Sequence, residues 1–138
     1  MNRLLLAFVI FAVLSAFGFE TNSDQRVQKA QTAADQWLKL VDAGDYGQSW
    51  DNASNLFKAH VSKDQWEKAI HATRSPFGQV LSRKVLKASY TDHLPGAPDG
   101  EYVVIQFETT FEHKKAAIET VTPMMDGGEW KVSGYFIR

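Results

Sequence analysis

The sequence predicts an α+β domain in which three N-terminal helices pack on a curved four-stranded antiparallel meander. Three observations lead there. The last third of the chain, Glu101 to Arg138, divides into β-patterned runs joined by short turns. The stretch before residue 80 instead carries apolar residues at three- and four-residue steps, the helical period. All helical patterning precedes all strand patterning, which is the order expected when helices cover one face of an antiparallel sheet.

The elements follow in chain order. Asn2 and Arg3 make a polar, positive start, Leu4 to Leu14 is unbroken apolar, and Ala16-Phe17-Gly18 puts small residues at −3 and −1 of a cut after Gly18. These are the parts of a secretory signal peptide. The apolar run is shorter than the roughly 20 residues of a comfortable span, although its extension to Phe19 keeps an uncleaved anchor as the alternative. Residues 1–18 are therefore read as a signal peptide and residues 19–138 as one domain, large enough to bury a core without staples. The expected location is exported, in a bacterial periplasm or secreted, with no stable membrane insertion once the signal is removed.

Ser23 or Asp24 is placed to cap the first helix, whose apolar stripe is Val27, Ala30, Ala34, Trp37, Leu38 and Val41. Gly44 suits the left-handed residue that ends it. Asp45 with Gln48 forms a capping-box pattern for a second, shorter helix carrying Tyr46 and Trp50. Leu56, Phe57 and Val61 make an apolar bridge. Ser62 with Gln65 opens a third helix through Trp66, Ala69, Ile70 and Thr73, and Pro76 and Gly78 close it.

Val80 to Tyr90 is a strand with imperfect alternation, which a bulge near Lys84 reconciles by bringing Leu81, Leu86 and Ala88 to one face. Leu94 to Gly100 is turn-rich. Glu101 to Glu112 alternates cleanly, with Val103, Ile105, Phe107 and Phe111 on one face. Ala116 to Pro123 is the third strand. Asp126-Gly127-Gly128 is a hairpin turn, and Glu129 to Arg138 is the last strand, with Trp130, Val132, Gly134 and Phe136 expected inward. Such a sheet wrapped around a long first helix leaves a conical hollow.

Composition narrows the chemistry. The 138 residues include no cysteine and carry a formal net charge of −1. Disulfides and thiolate metal sites are excluded, and scattered basic residues on a near-neutral chain give no footprint for nucleic acid. His60, His71, His93 and His113 lack metal-ligand spacing, and no phosphate loop, dinucleotide fingerprint or nucleophile elbow is present. No metal and no cofactor are implied.

Three segments together are distinctive: Trp37-Leu38-x-Leu40-Val41-Asp42-Ala43-Gly44-Asp45-Tyr46-x-x-Ser49-Trp50, Leu94-Pro95-Gly96-x-Pro98-Asp99-Gly100-Glu101-Tyr102-Val103-Val104, and Trp130-Lys131-Val132-Ser133-Gly134-Tyr135-Phe136. They resemble the family catalogued as domain of unknown function 4019, over essentially the whole of residues 19–138. The resemblance implies a cone-shaped, cystatin-like α+β architecture of the group typified by nuclear transport factor two, ketosteroid isomerase and scytalone dehydratase. It implies no activity.

Two functions fit these residues. The first is a non-enzymatic binding module for a small apolar or amphipathic ligand, or for an envelope protein, as a monomer or weak homodimer. Its ligand-binding residues would be Trp37, Tyr46, Trp50, Arg83 and Glu119. Trp37 and Trp50 lie on the helices expected to flank the hollow, although core packing is the ordinary role of such rings. Arg83 alternates with Leu81 and Val85. If that face is concave, Arg83 is a buried cation that must pair with a carboxylate such as Glu119 or bind an anion. The second function is a cofactor-independent isomerase, dehydratase or hydrolase, drawing an acid, base or donor from Asp42, Tyr46, Tyr90, Gln106, Glu119 and Tyr135. None of these has the spacing of a defined catalytic motif, so no catalytic residue is assigned. The outer sheet face is expected to present Tyr102, Gln106, Glu108, Thr110, Lys131, Ser133, Tyr135 and Ile137.

Overall fold

The computed structural model describes residues 21–138, so the signal peptide read at residues 1–18 lies outside the described residues. Four helices precede four strands: α1 Asn22–Asp42, α2 Tyr46–Asp51, α3 Asn55–His60 and α4 Lys63–Arg74, then a 3-10 turn Ser75–Phe77, β1 Val80–Thr91, β2 Tyr102–Phe111, β3 Lys114–Asp126 and β4 Glu129–Ile137. The sheet is an antiparallel meander in the order β1-β2-β3-β4. The architecture is α+β as expected, with one helix more than the three anticipated. The addition is α3, where the apolar bridge around Phe57 coils into a turn and a half capped by Ser54. Among the described residues, no helix is long and apolar enough to cross a membrane.

Local chemistry sets the helix ends. The cap of α1 is Thr21, not Ser23 or Asp24: its hydroxyl accepts from the Asp24 N–H while the Asp24 carboxylate accepts from the Thr21 N–H. At the other end Gly44 has φ +78°, its N–H donates to Val41 and the Asp45 N–H donates to Leu40, the paired bonds that satisfy the last carbonyls of a helix. That geometry leaves Asp45 at ψ 57°, too contracted for its side chain to reach back, so the expected Asp45–Gln48 box does not form. The Ser62–Gln65 box does form.

The core lies between α1, α4 and the inner sheet face. Ala30, Ala34, Trp37, Leu38 and Val41 of α1 are buried, the stripe read from the sequence, and they meet Val103, Ile105, Phe107, Val121 and Val132. Trp66 of α4 stands edge-on to Phe57 at 5.0 Å between ring centroids and lies 5.8 Å from Trp37. Buried Ser49 joins both indoles, its carbonyl accepting from Trp37 at 2.8 Å and its hydroxyl from Trp66 at 2.9 Å.

Bulges decide which face each strand residue takes. β1 has two, at Leu81 and at Leu86, rather than one near Lys84. Each inserts one unpaired residue and shifts the alternation by one position. Arg83 and Val85 then pair with inward Thr109 and Phe107, whereas Leu81 and Leu86, expected to share a face with Ala88, are 66% and 49% exposed while Ala88 pairs with inward Ile105. In β4 the pairing slips between Thr122 and Pro123, leaving Ser133 as the extra residue. Pro123 has no N–H and sits in a strand paired on both sides, a position tolerated only beside such an irregularity. The Ser133 hydroxyl bonds the Thr122 carbonyl at 2.8 Å. Beyond the slip the faces swap: Tyr135 and Ile137, expected outward, turn inward, and Phe136, expected inward, is 57% exposed. Tyr102 does face outward, but it is buried, with its hydroxyl donating to the Pro98 carbonyl of the preceding loop.

This assignment is checked by urea denaturation of two variants. Leu86→Ser is expected to change stability by less than about 0.5 kcal/mol, as an exposed substitution does. Ile105→Ala is expected to cost about 2–5 kcal/mol, as a core truncation does.

Candidate functional site

At the centre of the inner sheet face lies Glu119 of β3, with no solvent exposure. Three strands supply its partners. Arg83 Nε of β1 donates to Oε1 at 2.8 Å, and the Thr109 hydroxyl of β2 donates to the same oxygen in a short bond. The Tyr135 hydroxyl of β4 donates to Oε2 at 2.5 Å. Tyr135 reaches that oxygen because the Ser133 bulge turned it inward.

The network continues into the helices. The remaining nitrogens of Arg83 meet Asp42, at the end of α1, through two bonds of 2.8 and 3.0 Å, the bidentate geometry of a guanidinium on a carboxylate. Arg74, at the end of α4, donates to the same Asp42 at 2.8 Å and stacks over the Phe111 ring at 4.8 Å. Arg74 is 5% exposed, and its Nε and Nη1 have no hydrogen-bond partner among the described residues. The whole is a chain of alternating charge, Glu119–Arg83–Asp42–Arg74, whose formal charges cancel.

The electrostatics follow from burial and pairing. Burial works to raise the Asp42 carboxyl, but the hydrogen bonds and charges of Arg83 and Arg74 outweigh it and hold the group below its ordinary value. Burial likewise opposes the charge of Arg83, and bonds to Asp42 and Glu119 overcome it, so the guanidinium keeps its proton more firmly than in water. Burial pushes the Tyr135 phenol upward, and the neighbouring Glu119 charge and hydrogen bond push it further. Tyr135 is therefore a neutral donor.

Of the residues named from sequence as ligand-binding, the structure brings Arg83 and Glu119 into one contact. Trp37 is close by, its ring 5.5 Å from that of Tyr135, but it is 3% exposed and packed. Tyr46 lies elsewhere, edge-on to the His71 ring at 6.2 Å between centroids, and the Trp50 indole donates to the Val61 carbonyl at 2.8 Å. The sequence pattern singled out neither Thr109 nor Arg74. Among the described residues, no group of three or more His, Cys, Asp or Glu side chains gathers as a metal site requires.

Open space lies beside this network rather than within it. A cleft of ≈ 500 Å³ runs between the C-terminal half of α1, the end of α2 and the start of β4, with Gln36, Trp37, Leu40, Asn52, Trp130 and Lys131 among its walls. A smaller opening of ≈ 250 Å³ lies between α4 and the end of β4, next to Tyr135.

Two outcomes test the network. Glu119→Gln leaves Arg83 short of one charge partner in a buried setting and is expected to cost about 3 kcal/mol or more in urea unfolding. The pH response is the second. Above about pH 10 the unfolded chain releases the Tyr135 proton while the folded protein retains it, so stability present below that pH is lost as pH rises. Tyr135→Phe is expected to flatten this alkaline loss in thermal melts. At the acid end, Asp42 stays ionised in the folded state while the unfolded chain takes up a proton near pH 4, so its contribution is lost as pH falls further.

No curated protein matches the chain. Residues 33–135, spanning α1 to β4 and every member of the charge network, match the family described as Protein of unknown function (DUF4019), and the chain belongs to that family.

Proposed function

We propose that this protein is an exported, non-enzymatic binding module whose ligand site is the cleft between α1 and β4. One observation carries the reading: the cleft is open while the buried ionisable network is closed. Its ≈ 500 Å³ falls within the range of small-molecule sites, and Trp130 gives it a partly exposed aromatic wall. By contrast, Glu119 Oε1 already accepts from Arg83 and Thr109, and Oε2 accepts from Tyr135. A general acid or base must be free to exchange a proton with substrate, so this arrangement gives little support to an isomerase, dehydratase or hydrolase.

The curved meander over α1 supports a cone-shaped, cystatin-like form of the nuclear transport factor two kind, with the hollow filled by Trp37, Trp66 and Phe107 instead of open. The apolar run Leu4 to Leu14 followed by Ala16-Phe17-Gly18 supports export to the periplasm or beyond. The mixed outer sheet face, where Phe136 stands among Gln106, Glu108 and Thr110, supports a monomer or weak homodimer. A small amphipathic ligand suits the cleft better than a wholly apolar one, because polar side chains share its walls.

Native mass spectrometry of the protein purified gently from its exported compartment tests this function. The expected result is added mass beyond residues 19–138, lost in Trp130→Ala. A bare chain under the same conditions counts against a small-molecule role.

A further inference from the structure

We infer that the cleft between α1 and β4 takes a saccharide: an uncharged, hydroxyl-rich ligand with one apolar face. The inference rests on the binding function proposed above and names the ligand class for that site.

The argument begins with what the walls offer. Trp130, at the start of β4, is partly exposed, and its indole is flat and apolar. Leu40 extends that apolar strip on α1. Such a strip suits the C–H face of a pyranose ring, which is planar enough to lie on an indole.

Around the strip the walls are polar. Gln36, Glu129 and Lys131 make no side-chain hydrogen bond or ion pair among the described residues. Asn52 donates through its Nδ2 to the Gln48 carbonyl at 2.8 Å, which leaves its amide oxygen without a partner there. Donors and acceptors therefore flank the strip: a free amide at Gln36 and an acceptor at Asn52. A hydroxyl both donates and accepts, so a ring of hydroxyls can satisfy both. An alkyl chain in the same place would take these groups out of water without replacing their hydrogen bonds, which is unfavourable.

Charge points the same way. Asp51 in the cleft is already paired with Lys63 at 3.1 Å. Glu129 and Lys131, two residues apart on β4, carry opposite charges. No net charge remains in the walls to select an anion or a cation.

The test is a titration of the purified protein, uniformly labelled with nitrogen-15, followed through its four tryptophan indole N–H signals. The probes are chitotriose and cellotriose, with lauric acid as the apolar comparison. The expected result is a saturable shift of the Trp130 signal with at least one trisaccharide and none with laurate. Trp130→Ala is expected to weaken the trisaccharide at least tenfold. Gln36→Leu, an exposed helix position that does not threaten folding, is expected to weaken it several-fold. If laurate shifts the Trp130 signal and neither trisaccharide does, the saccharide inference is overturned while the binding function stands. If no probe shifts it and native mass spectrometry shows a bare chain, both fall. Trisaccharide binding that Gln36→Leu leaves unchanged would also overturn the assignment to this cleft.

Discussion

A carboxylate with no access to water sits at the middle of this sheet, and satisfying it constrains almost every element around it. Taking an ionised group out of water costs several kcal/mol unless charge and hydrogen bonds replace the lost hydration. Glu119 receives that replacement from three strands at once: Arg83 on β1, Thr109 on β2 and Tyr135 on β4. Each donor arrives only if its strand has the observed register, so one buried oxygen pair ties the registers of β1, β2 and β4 to that of β3. Arg83 then carries the constraint into the helical layer through Asp42, and Asp42 extends it to Arg74 at the end of α4. Removing any one member leaves a buried charge short of a partner, whereas an isolated ion pair on the surface would be worth little.

The bulges are what make this convergence possible. A regular strand would send Tyr135 to the same side as Ser133 and away from Glu119. Ser133, extra opposite Pro123, breaks the alternation and turns the phenol inward. The two bulges in β1 turn Arg83 and Val85 to the face of Thr109 and Phe107, where Arg83 reaches the buried carboxylate and Val85 stays 38% exposed, while ejecting Leu81 and Leu86. They also bend an edge strand that already bears Lys84 and Lys87, and bent, charged edges resist pairing with another chain. Exposed leucines on β1 therefore accompany a strand shaped by a polar requirement at its centre.

The same organisation separates a committed interior from an available surface. Trp37, Trp66 and Phe107 fill the space beneath the sheet, and the two indoles spend their N–H groups on Ser49. What remains open is the cleft beyond Trp37, where Trp130 and the polar side chains around it have few internal obligations. Groups whose hydrogen bonds are met inside the protein stabilise it; groups whose bonds are unmet at an opening are the ones a ligand can use.

The amino-acid sequence by itself determined the class and the punctuation of this protein. Apolar steps of three and four defined the buried stripe of α1, Gly44 its end, the Ser62–Gln65 pair the start of α4 and Asp126-Gly127-Gly128 the last hairpin, because each is a local rule acting over a few residues. The family was legible in the same way, from contiguous motifs. Tertiary structure decided the rest. Which side Tyr135 takes depends on a bulge placed opposite a proline in another strand, and the sequence pattern, which ended the third strand at Pro123, carried no sign of it. Asp42 was legible only as one candidate acid among several and Arg74 not at all, until folding brings both to Arg83. Neither a parity shift nor a charge network built from four separate elements leaves a periodic trace, since each is a relation between residues distant in the chain.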